Sequence, residues 1–138
     1  MSGAGQNPLL DSMRESYTKP FEHAILDWVE ANDLEDIVFY PQDNPTILIT
    51  WSSPDSEDRW LFREIDVVVQ AEDSFRCAGG AIYHDPDYYL SWFPAAFVST
   101  DELADALSEM KAAVDKLGLE DLTDMESFVA GYVFRLEI

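Results

Sequence analysis

Cysteine, histidine, lysine and long apolar runs are all scarce in this sequence, and each shortage removes a class of chemistry. A single cysteine, Cys77, cannot close an internal disulfide, so a reducing cytoplasm is the expected home. One thiol and two imidazoles, His23 and His84, are too few for a zinc site built from several Cys or His ligands. No apolar run approaches the ~18 residues needed to span a bilayer. The opening Met-Ser-Gly-Ala-Gly-Gln-Asn-Pro lacks the basic region and apolar core of a signal peptide. Positive charge is the sharpest deficit: 8 Lys and Arg stand against 28 Asp and Glu, for a formal net charge of −20.

What is present is a sizeable core and a great deal of carboxylate. The chain has 138 residues, 47% hydrophobic and 13% aromatic, enough for one domain and too apolar for a disordered acidic tail. Residues 1–69 and 70–138 each carry 14 acids and 4 bases, so the excess belongs to the whole folded body. Such charge opposes compaction through self-repulsion. It also exceeds the magnitude of about 2–8 that keeps a small domain soluble. Three things could reward it: a basic macromolecular partner, a high-salt cytoplasm, or solubility alone. Three lysines against 16 aspartates suit salt adaptation, but four Trp and eight Phe do not, because salt already strengthens apolar burial. Direct binding to nucleic acid or to an anionic membrane is disfavoured, since both repel this surface.

Periodicity predicts the scaffold. Residues 1–8 are small and polar and are expected to fray. Leu9, Leu10, Met13 and Tyr17 have helical spacing up to Pro20. Phe21, Ala24, Ile25, Trp28 and Val29 then form an amphipathic stripe, with Thr18 as cap and Asn32-Asp33 as stop. Short strands are predicted at Ile37–Tyr40 and Thr46–Trp51, with Ser52–Asp58 as a loop. The centre is a long hairpin, Trp60–Gln70 and Phe75–Tyr83, turning at Ala71–Ser74. Leu61, Ile65, Val67 and Val69 recur at a period of two on its first strand. Gly79-Gly80 marks a bulge or a close backbone approach. Tyr88–Phe93 is a ring-rich strand, with Pro94 to Val98 leading out of it. Ser99 and Glu102 have capping-box spacing ahead of a helix carrying Leu103, Ala106, Leu107, Met110, Ala113, Val114 and Leu117. Gly118 is its expected left-handed terminator. An acidic connector over 119–126 leads to a closing strand with Phe128, Ala130, Tyr132, Phe134, Leu136 and Ile138 on one face. The expected fold is therefore α+β, in the order α-β-β-β-β-β-α-β. An antiparallel sheet of about five to six strands packs against two helices in one domain, residues 9–138.

Candidate sites are weighed against plain structural roles. His23 has no partners at useful spacing and reads as a helix-surface residue. His84-Asp85-Pro86-Asp87 is the most ligand-like run, but its proline and flanking strands describe a tight turn first. Cys77 would need a lowered pKa to act as a nucleophile, and its strand position suits core packing better. Cys-Ala-Gly-Gly-Ala lacks the spacing of a dinucleotide fingerprint. No catalytic, cofactor or metal residue is assigned, and the protein is read as a non-enzyme. The acids are more informative. Asp101, Asp105 and Glu109 fall four apart on one helix face, where like charges repel by roughly 0.2–0.5 kcal/mol per pair. Asp55, Glu57 and Asp58 form a second group, Asp85 and Asp87 a third, and Glu120, Asp121 and Asp124 a fourth. Carboxylates so arranged can imitate the phosphates that a basic enzyme expects, with Tyr88, Tyr89 and Trp92 as anchoring rings.

In size, charge and α+β layout the chain resembles small acidic immunity proteins that neutralise bacterial toxins, and phage-encoded inhibitors that mimic DNA. The resemblance implies a non-catalytic inhibitor that occludes a basic, nucleic-acid-handling enzyme, acting as a monomer or homodimer. In bulk terms the chain is also similar to small acidic secretion chaperones, which implies an assembly chaperone for a basic effector. Those chaperones usually place a helix among their strands, whereas the predicted strand run 37–93 is uninterrupted.

Overall fold

The computed structural model describes residues 19–34, 36–40, 45–84 and 88–124. The expected fraying of residues 1–8, the helical spacing Leu9–Tyr17, the Thr18 cap, the Asp85 and Asp87 pair and the closing strand all lie outside these residues.

Helix α1 runs Pro20–Ala31 and begins where Pro20 needs no amide partner. Lys19 is its N-cap residue, and its backbone N–H donates to the buried Glu22 carboxylate at 2.9 Å. Asn32 is the C-cap and Asp33 takes the left-handed conformation with φ 55°. Asp33 N–H then donates to Glu30 O at 3.1 Å and Leu34 N–H to Val29 O at 3.0 Å. This pair of bonds is the Schellman ending, and Leu34 tucks into the core behind it. The Asn32-Asp33 stop is thus where the spacing puts it.

Five strands follow: β1 Asp36–Tyr40, β2 Thr46–Pro54, β3 Trp60–Ala71, β4 Ser74–His84 and β5 Tyr88–Val98. Helix α2 spans Leu103–Asp115, and β6 is the short Thr123–Asp124. The described strands form one antiparallel sheet in sequence order β1-β2-β3-β4-β5-β6. The expected α+β class, two-helix layer and antiparallel sheet are all present.

Several boundaries differ from the sequence reading. β2 continues through Ser52, Ser53 and Pro54, because these polar residues pair with Phe62, Leu61 and Trp60 of the longer β3. β5 continues past Pro94 to Val98, with a register shift opposite Arg76 and Ala78 that accommodates the proline. Gly118 is extended, with φ −112° and ψ 172°, and not left-handed. Lys116 ends α2, and Gly118 instead caps a 3-10 turn, Leu119–Asp121, by donating its N–H to Asp121 Oδ2 at 2.9 Å. Ala113, expected on the inner face of α2, is exposed.

Both helices cover the same face of the sheet. Ile25, Val29, Leu103, Leu107, Met110 and Val114 meet Ile37, Ile47, Ile49, Ile65, Val67 and Phe75 in one core. Trp28 Nε1 donates to Ser108 Oγ at 2.9 Å and ties the helices together. Ser99 N–H donates to Glu102 Oε1 at 3.1 Å, as the capping-box spacing predicts. The α2 end is pinned further because Asp73, in the β3–β4 turn, accepts the Thr100 N–H at 2.7 Å.

The two adjacent glycines serve opposite faces. A Cβ on Gly79 would sit 3.0 Å from Met110 Sδ, where α2 presses on the sheet. A Cβ on Gly80 would fall 2.0 Å from Ser91 O and 2.6 Å from Trp92 Cε3 on the other side. Close approach is therefore the reason for Gly80. Gly80→Ala is expected to cost about 1–3 kcal/mol in urea unfolding, as overpacking typically does. A loss below a few tenths would show that β5 yields freely there.

Candidate functional site

Strict alternation places Arg63 on the inner face, between Leu61 and Ile65, although it is the one charged residue in that series. It is fully buried. Its Nε donates to Ser53 Oγ at 2.6 Å, and its Nη1 donates to the Val114 carbonyl in the last turn of α2. Burial pulls its pKa down, while the charges of Asp115 and Asp55 oppose that shift. Arg63 is a cap for α2 reached from the sheet. The period-two parity of β3 is the signal that could have found it.

Two of the predicted acidic groups come together at one corner. Arg59 Nη2 lies 2.7 Å from Asp55 Oδ2 and 2.5 Å from Glu120 Oε2, and Arg59 Nη1 lies 3.1 Å from Glu57. The Asp55 side chain is 1% exposed and also accepts the N–H groups of Glu57, Arg59 and Leu119. The Arg59 guanidinium first, and these amides after it, hold its carboxyl well below the usual range against the opposing effect of burial. Asp55 therefore joins the β2–β3 loop to the Leu119–Asp121 turn, and its oxygens are occupied internally. Glu57, Asp58, Glu120 and Asp121 are exposed around this corner, and Asp124 is exposed on β6 opposite Tyr89.

Asp105 and Glu109 are exposed along α2, as their spacing implies, whereas Asp101, also exposed, lies in the 3-10 turn Thr100–Glu102 that precedes it. They lie on the helix side of the molecule. Of the predicted rings, Tyr89 and Trp92 are divided between the two faces of the sheet. Tyr88 opens β5 opposite His84. Tyr89 pairs with Tyr83 and has the parity of the helix-covered face, whereas Trp92 pairs with Gly80 and has the parity of the other.

Cys77 is fully buried beneath the helices, and burial pushes its thiol up to about 11, away from the reactive thiolate. His23 is half-buried on α1, and His84 ends β4 in an exposed position. Among the described residues, no group of three or more His, Cys, Asp and Glu side chains is placed to hold a metal ion. No helix among them is long and apolar enough to cross a membrane.

The second face of the sheet was not anticipated as a surface. The exposed large apolar residues Val38, Tyr40, Trp60, Phe62 and Phe97 all have its parity. Trp60 and Phe97 are each 63% exposed. Leu48, Val68, Ile82 and Leu90 fill the space between them, and no described element covers them. Isolated exposed apolar side chains are ordinary, but a contiguous set on one sheet face is typical of an interaction site.

Glu64 and Asp66 lie near the middle of this face. In register they are flanked by Thr50 and Gly80, and by Leu48 and Ala78. Ala78 and Gly80 are buried beside them, and Ser91 O and the Trp92 ring crowd the outward side of Gly80. Burial, then the hydrogen bond and charge of Glu64, push Asp66 up to about 8, while Arg76 partly offsets the rise. Asp66 Oδ1 is buried and accepts no hydrogen bond. In comparison with known proteins, no family model, no curated protein and no solved structure matches the chain.

Proposed function

We propose that this protein is a non-catalytic, cytoplasmic inhibitor that binds and occludes a basic, nucleic-acid-handling enzyme, in the manner of toxin-immunity or phage DNA-mimic proteins. The observation that carries the reading is a net charge of −20 on a well-packed domain that also leaves one sheet face apolar and open. Uncompensated carboxylate would draw a cationic partner in quickly, and exposed rings would hold it. The contact acids are Asp101 in the turn before α2, Asp105 and Glu109 on α2, and Glu57 and Asp58 at the loop corner. Asp85, Asp87, Tyr88, Tyr89 and Trp92 remain members of the proposed set.

A chaperone for a basic effector is the second reading. The open apolar face favours it, because such a face also suits an extended, unfolded segment. The two readings differ in what happens to the captured enzyme. An inhibitor abolishes its activity stoichiometrically, and a chaperone leaves its active site free.

Reversing Asp101, Asp105 and Glu109 to lysine is expected to slow association with the captured enzyme by about tenfold at low salt and to flatten its salt dependence. Stopped-flow association across a salt series measures both. Unaltered rates in the triple variant would remove α2 from the contact surface.

A further inference from the structure

We propose that the open sheet face is a homodimer interface, on which two copies of the chain pack face to face as a sheet sandwich with both α2 helices on the outside. The inference goes beyond the basic-partner reading: it states what covers the exposed rings in the free protein, before any enzyme is captured.

The shape of the face selects a broad, flat occupant. Its middle is closed, because Ala78 and Gly80 are buried, Ser91 O and the Trp92 ring crowd Gly80, and Asp66 Oδ1 is buried too. The large apolar groups lie to either side, with Trp60, Phe62 and Ile82 toward the β2–β3 loop and Val38, Tyr40 and Phe97 toward the β3–β4 turn. A second sheet of the same twist reaches both ends at once, at the angle of about 30° and spacing of about 10 Å usual for aligned sheets. A second copy has that twist by identity.

Size agrees with a dimer. Strands β1 to β5, about 4.8 Å apart, over the 9 residues of β2 at about 3.3 Å each, make a face of about 700 Å². A stable interface buries about 800 Å² on each partner, so nearly the whole face is used.

Charge permits the pairing. The acids and bases with the parity of this face are Asp36 on β1, Glu64 and Asp66 on β3, and Arg76 and His84 on β4, while β2 and β5 contribute no carboxylate or cation. Asp66 keeps its proton near neutral pH, because burial and the adjacent Glu64 push it up to about 8. Two carboxylates and one guanidinium are therefore left on this face of a chain whose net charge is −20. The exposed Asp101, Asp105 and Glu109 stand on the far side of each copy. Two sheets between two helix layers, at about 10 Å per layer, set these acids about 30 Å apart, against a screening length of about 8 Å at physiological salt.

Sedimentation of the full chain across a concentration series tests this. The expected result is a monomer–dimer equilibrium that tightens about tenfold from low to high salt, since salt screens self-repulsion and strengthens apolar burial. Capture of a basic enzyme has the opposite salt dependence. Trp60→Glu and Phe97→Glu, each at a side chain 63% exposed in the monomer, should each weaken the dimer at least about tenfold. Ala104→Glu, exposed on α2, adds the same charge outside the interface and should leave the dimer intact. Closing the sandwich desolvates Asp66 further, so the dimer should weaken as pH rises through about 8, and Asp66→Asn should remove that dependence. Circular dichroism and urea unfolding establish that each variant is folded. A chain that stays monomeric at high salt, or a dimer that tightens as salt falls, would overturn the proposal. So would a dimer unchanged by both glutamate variants on the sheet, or one equally tight on either side of pH 8. None of these results bears on the α2 acids, so the basic-partner reading would stand.

Discussion

Replacing Arg63 with alanine is expected to destabilise the protein by about 3–5 kcal/mol, the cost of breaking a buried, hydrogen-bonded charge site. The substitution leaves the Val114 carbonyl without its donor at the end of α2. It frees Ser53 Oγ from its 2.6 Å bond and opens a cavity under Leu61 and Ala81. It also removes the cation that faces Asp115 and Asp55. Arg63→Met separates these contributions. Methionine keeps most of the stem volume and buries no charge, so it is expected to cost less than alanine despite leaving Val114 uncapped. Urea unfolding of both variants measures the difference. If alanine costs under about 1 kcal/mol, far below a broken buried charge site, the guanidinium is not what closes α2.

Asp66→Asn is expected to do the opposite, stabilising the protein, and only at high pH. Burial and the adjacent Glu64 push the folded-state value of Asp66 up to about 8 from its ordinary 3.8. Folding therefore binds a proton across that window. The stability this represents is complete below about pH 4 and is lost as pH rises through about 8. Asparagine keeps the shape and can still donate to Glu64, but it never ionises. The variant should match the wild type near pH 3 and exceed it near pH 9 by on the order of 3 kcal/mol, a figure reduced from the full shift because the group is partly solvent-accessible. Denaturant unfolding at the two pH values reads the gap. Subtracting variant from wild type cancels the general repulsion among the other carboxylates, so a gap independent of pH would refute the assignment to Asp66.

Much of the fold was legible because it is encoded over short spans. The α1 stripe from Phe21 to Val29, the Asn32-Asp33 stop and the Ser99–Glu102 cap each involve residues a few positions apart, within reach of local rules. The β3 alternation was legible for the same reason, except at Arg63, where residue type hid a position that parity assigned. The misread boundaries share one cause. Ser52-Ser53-Pro54 and Pro94–Val98 have poor strand composition, yet both are held by partners across the sheet. Gly118 has the composition of a helix terminator, but Asp121 holds its N–H in an extended capping position. Asp55 reads as one more loop carboxylate until Arg59 and Leu119, the latter 64 residues away in sequence, are found to donate to it.

The candidate surface divides along the same line. Composition alone established the −20 charge, the acidic spacing along α2 and the scarcity of thiol and imidazole. Alternation alone established that the central strands carry two different faces. The apolar period of β3 marks the face the helices cover; that no described element covers the other was decided only in three dimensions, because burial is a relation between segments distant in the chain. Once α1 and α2 settle on Ile65 and Val67, the opposite face of β3 is left outward, and Trp60, Phe62, Glu64 and Asp66 become neighbours of Val38, Ile82 and Ala78. A carboxyl pair set among exposed rings is a property of that packing, and no local pattern could have announced it.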